Sequence, residues 1–145
     1  MNQDELRNKL GIDLLNLDQE LMEMPVLVQD AAEQAALAND EERAARHNFD
    51  LVQSEAARKL RSIPEGSDKK PPSEEKLKSL LPLEEDVANA RIAYDAAQTT
   101  SAVANALVSS LREKARMLQK ISDLIIAGYI TKNFAVDNSR QAIRR

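Results

Sequence analysis

The chain has three glycines, at positions 11, 66 and 128, so two spans of more than fifty residues lie between them without one. Both are alanine-rich, and their prolines stand near the edges. That pattern predicts two long helices, over residues 24–62 and 83–127. At a rise of ~1.5 Å per residue, each would extend roughly 55 to 70 Å. Helices of this length argue against an enclosed catalytic cleft. They favour an all-α, long antiparallel helical hairpin with short accessory helices, which works by presenting extended surfaces.

The seam of the first helix is read from Met24, Val28, Ala31, Ala35, Ala38, Ala45, Phe49, Val52 and Ala56, spaced by three, four or seven. Its outer stripe carries Asp30, Glu33, Asp40, Glu41, Arg43 and Glu55. The second seam runs through Leu83, Val87, Ala90, Tyr94, Ala97, Ala104, Val108, Leu111, Ala115, Leu118 and Ile125. Leu107, Ile121 and Leu124 widen it toward the C-terminal end, enough to touch more than one partner helix. Short elements flank these two. A helix is expected over residues 3–10, ended by Gly11, and Asp18 is expected to cap a turn over residues 19–23. Pro25 should kink or restart the first long helix. Ser73 should cap a short helix reaching Leu81, Pro82 should mark a kink or fresh start, and Gly128 should terminate the last helix.

The whole is read as one helical domain, residues 1–145. Residues 1–62 hold the short and first long helices, 63–72 a basic, proline-rich, partly extended loop, 73–128 the short and second long helices, and 129–145 a basic tail. Aromatic residues make up only 3 % of the chain, and much of the apolar content is alanine. The core is therefore a thin seam, which predicts a homo-oligomer. Leu107, Val108, Leu111, Leu118, Ile121, Leu124 and Ile125 are the expected oligomerising stripe. No apolar run is long enough to span a bilayer, and the first residues carry no basic or apolar leader. The expected location is the cytoplasm, with no membrane contact.

Catalysis finds no foothold in these residues. Cysteine is absent and His47 is the one histidine, placed beside Arg46 on a polar helix side. Acidic neighbours such as Glu41 and Glu42 point in different directions, whereas acid–base chemistry needs converging groups. Neither enzymatic turnover nor a metal or other cofactor is expected. Charge offers more. Residues 1–56 carry 13 acids and 4 bases, and residues 57–145 carry 11 acids and 16 bases. The basic group Arg58, Lys59 and Arg61, followed by Lys69 and Lys70 and then Lys76 and Lys78, has two readings. It is either a phosphate-contacting patch or a set of cations complementing a helix C-terminus.

Several short patterns support a family resemblance. Leu17-Asp18-Gln19-Glu20-Leu21 leads to Pro25-Val26-Leu27, and a long helix then ends in Ala57-Arg58-Lys59-Leu60-Arg61. Asp86-Val87 opens the second long helix with Tyr94, and Arg112-x-Lys114-x-Arg116-x-Leu118 precedes Ile125-x-x-Gly128-Tyr129. In this arrangement the chain resembles the UvsY-type recombination mediator proteins of tailed phages, over roughly residues 3–132. The resemblance implies a ring-like homo-oligomer of about six or seven subunits, assembled by C-terminal helices. It implies single-stranded DNA binding through Arg58, Lys59 and Arg61, and the loading of a RecA-like recombinase in place of single-strand binding protein. The acidic first half is heavier than that role requires. A helical structural or assembly protein without DNA binding is the alternative.

Overall fold

The computed structural model describes residues 2–62 and 70–128, and every regular element among them is helical. Helix α1 spans Gln3–Asn8, and a single 3-10 turn follows at Leu14–Asn16. Helix α2 then runs for 45 residues, Leu17–Arg61. Helix α3 covers Glu74–Leu80 and continues through a 3-10 turn at Leu81–Leu83. Helix α4 takes 42 residues, Glu85–Ile126. The two long helices pack antiparallel as a hairpin.

Local chemistry explains the ends. Asn2 and Glu5 form a reciprocal capping box on α1, with the Glu5 amide donating to Asn2 Oδ1 at 2.8 Å. Ser73 Oγ accepts from the Lys76 amide at the start of α3. Helix α2 ends where the Ser62 hydroxyl donates to the Lys59 carbonyl at 2.7 Å. Gly128, at φ 81°, takes the left-handed backbone after α4 that a side chain would resist.

Four sequence expectations give way here. Helix α2 continues through Pro25 without restarting and begins well before it, at Leu17. The packed helix tolerates the single bond that proline removes. Asp13, not Asp18, caps the turn ahead of α2, through its carboxylate and the Leu15 amide. Helix α1 closes at Lys9 with ordinary negative φ, so Gly11 is not its left-handed cap. Leu83, placed in the seam by spacing, is 78 % exposed, because the Pro82 turn breaks the helical phase before α4 begins.

The chain forms two compact units. Among the described residues, one holds 2–32 and 106–128, and the other holds 33–62 and 70–105. In the first, Leu6, Leu111 and Leu118 are fully buried, accompanied by Met24, Leu27, Ala31, Leu107 and Val108. A fully buried leucine contributes ~1.5–3 kcal/mol of transfer free energy. In the second, the interior consists chiefly of Ala35, Ala38, Ala56, Ala90 and Ala104, with Leu77 of α3 and Val87. Alanines bury little area each but allow close backbone approach.

Candidate nucleic-acid interface

The basic end of α2 belongs to the second unit. Arg58, Lys59 and Arg61 are all exposed, as is Lys70, whereas Lys69 lies outside the described residues. Their situations differ. Arg61 donates to Glu74 Oε1 at 2.6 Å, tying the last turn of α2 to the first turn of α3. Both partners are more than half exposed, so solvent screens the pair. Lys59 shares an open groove of about 400 Å³ with Glu55, Glu84 and Asp86, besides Ala56, Ala90 and neighbouring residues. Three carboxylates around one ammonium make that groove a poor seat for phosphate. Arg58 has no side-chain partner among the described residues, which leaves its guanidinium open to an external anion. Lys76 and Lys78 on α3 are exposed as well.

Farther along the same unit, Phe49 of α2 and Tyr94 of α4 stack with ring centroids 6.2 Å apart and planes 12° from parallel. The Arg91 guanidinium lies 5.6 Å from one ring centroid and 5.8 Å from the other, and it also pairs with Asp95 at 3.0 Å. Both rings sit at expected seam positions, but nothing in their spacing pairs them. Only the register of the two helices does. The same register brings Asn39 opposite Ser101 and Asn105, whose hydroxyl and amide donate to Asn39 Oδ1 at 2.7 and 2.9 Å. His47 is exposed on α2.

The expected oligomerising stripe divides. Leu107, Val108, Leu111 and Leu118 are buried within the chain itself, Ile121 and Ile125 are half-buried, and Leu124 is 44 % exposed. The apolar side chains left open in this unit include Leu15, Met22, Val26 and Ile126. One buried cation escaped the sequence reading altogether. Lys114 of α4 is buried, pairs with Glu20 of α2 and donates to the Lys9 carbonyl at the end of α1. Around it, Lys9 pairs with Glu23 at 3.2 Å, and Glu20 accepts from the Asp13 amide at 3.1 Å. The Gln19 side-chain hydrogen bond, together with the Lys9 ammonium, holds the Glu23 carboxyl below its ordinary value. Asp13 is lowered by hydrogen bonds from the Asn16 side chain and the Leu15 amide. A lysine inside an Arg-x-Lys-x-Arg run reads as surface charge, and the sequence carries no signal that it turns inward.

Among the described residues, no group of three or more histidine, cysteine, aspartate or glutamate side chains is arranged to hold a metal ion. No helix among them is long and apolar enough to cross a membrane. Compared with protein-family models, curated proteins and solved structures, the chain matches none.

Proposed function

We propose that this chain is a non-enzymatic recombination mediator that binds single-stranded DNA and helps a RecA-like recombinase replace single-strand binding protein. The observation that carries the reading is the open cationic end of α2. Arg58 is exposed and unpaired among the described residues, with exposed Lys59 beside it and exposed Lys70 ahead of α3. The UvsY-type resemblance supplies the mediator role and the two protein partners. Contacts of this kind are individually weak. Repeated over six or seven subunits they would add as effective concentration, holding a strand extended without covalent chemistry. Apolar side chains available for such self-association include Leu124 and Ile126, together with Leu15, Met22 and Val26.

The test is a gel shift with labelled single strands across a salt series. Binding to the wild-type chain should weaken with a log–log slope of about −0.7 per phosphate neutralised. The Arg58→Ala, Lys59→Ala double variant should flatten that slope and weaken binding on all sequences alike, with helicity unchanged. An unaltered slope would sink the reading.

A second reading, a helical structural or assembly protein without DNA binding, has its own supporting observations. The Arg61–Glu74 pair and the carboxylates around Lys59 give two of the three arginine and lysine side chains partners or neighbours within the chain. A chain that assembles but retards no strand at low salt would favour it.

A further inference from the structure

A different surface, in the unit containing Lys114, has the chemistry of a peptide site. An open groove of about 640 Å³ runs between α2 and α4. Leu21, Met24 and Val28 of α2 and Ala115 of α4 give it an apolar floor. Arg112 and Arg116, one turn apart on α4, stand at its edge and are exposed. Arg112 has no side-chain partner among the described residues. Among the described residues Arg116 meets Glu113 at 3.3 Å, a well-exposed pair that competes weakly with a ligand. No carboxylate is among the described residues that line the groove, although the chain as a whole has 24 acids to 20 bases.

Pro25 also lines the groove with Leu21, so the proline ring extends its apolar floor. Carboxylates suit the two guanidiniums, and an apolar side chain suits the floor. A nucleic-acid strand would satisfy the guanidiniums through its phosphates, but it brings no aliphatic side chain for the floor, whose described lining has no aromatic ring to stack a base. Residues 129–145 of this chain carry four bases and one acid, the wrong sign for the site.

We propose that this groove docks a short acidic segment of a partner protein, anchored by an apolar side chain between Met24, Val28 and the two arginines. The assignment goes beyond the DNA-binding reading and stands without it, since it uses none of Arg58, Lys59 or Lys70.

Fluorescence anisotropy on the full chain tests it, with the labelled peptide Asp-Glu-Leu-Asp-Glu-Leu-Phe as probe. Controls are its Asn/Gln analogue, an analogue with serine for each apolar residue, and labelled oligothymidylate. The acidic peptide should bind and both analogues should bind far more weakly. Arg112→Gln with Arg116→Gln should weaken peptide binding roughly tenfold or more, with far-ultraviolet circular dichroism unchanged. Arg112→Glu with Arg116→Glu should instead select a version of the peptide carrying lysine for each acid. Failure of the acidic peptide to bind the wild-type chain overturns the proposal, as does equal binding by the double-glutamine variant. A double variant that keeps the peptide but loses oligothymidylate gives the groove to nucleic acid. One that keeps the peptide but falls to a smaller assembly gives it to a second copy. Either result also overturns it.

Discussion

The unit around Lys114 and the unit around Ala35 are both built from antiparallel stretches of α2 and α4, yet different side chains hold them. The first buries three leucines completely, one of them Leu6 from the separate helix α1, and adds an inward lysine. The second relies on a line of alanines, with its register marked by the Asn39–Ser101–Asn105 hydrogen bonds and the Phe49–Tyr94 stack. Bulky side chains supply burial but accept several neighbouring packings. Small ones permit close approach but leave the helices little to resist sliding. Directional contacts supply what each seam lacks. Lys114 fastens α1 and the start of α2 to α4, and Asn39 fixes which turn of α2 meets which turn of α4.

This contrast can be broken by substitution. The largest effect is expected for Lys114→Ala, which leaves Glu20 partly buried without its partner and the Lys9 carbonyl without its donor. Removing one member of such a pair costs roughly 3–5 kcal/mol, measurable by urea denaturation. Leu118→Ala should cost about 3 kcal/mol through the cavity it leaves in the same unit. The Leu118 result also separates two roles for the C-terminal stripe. Its side chain is buried within the chain, so stability should fall even when light scattering shows an unchanged mass.

In the other unit, Asn39→Ala should cost about 1 kcal/mol, read as a modest drop in melting temperature, because it removes two part-exposed hydrogen bonds. If Asn39→Ala cost as much as Leu118→Ala, the distinction between a bulk-held and a register-held unit would collapse. The smallest effect concerns pH. Glu23 and Asp13 have folded-state carboxyls below their ordinary values, so the folded chain favours their ionised forms. Their contribution is present above the unfolded value, near pH 4, and is lost as pH falls through the lower folded value. Amide exchange around α1 should rise in that range before exchange around Asn39 does. Simultaneous loss would show that the acid-sensitive contacts do not act on α1 alone.

The sequence spoke most clearly where a rule depends on one residue and its near neighbours. The helical character of both long stretches follows from missing glycines and periodic apolar positions. The Ser73 cap and the Gly128 terminus follow from local hydrogen bonding and backbone sterics. The basic end of α2 was equally legible as charge, since Arg58, Lys59 and Arg61 are consecutive enough to need no fold. Phase at a break was harder: a proline inside α2 left the helix continuous, while a proline before α4 turned Leu83 outward.

Whatever depends on two distant segments was decided by tertiary structure. Spacing alone gives Lys114 the same standing as Arg112 and Arg116. Packing against α1 and Glu20 makes it an interior cation, whereas its two neighbours stay at a groove edge. Leu111 and Leu118 could have served an interface between chains until the same packing enclosed them. Arg61 became half of a link to α3 only where the fold set Glu74 within 2.6 Å of it. The physical reason is common to all three. Periodicity records which face a side chain occupies, while burial and pairing depend on the partner that face meets.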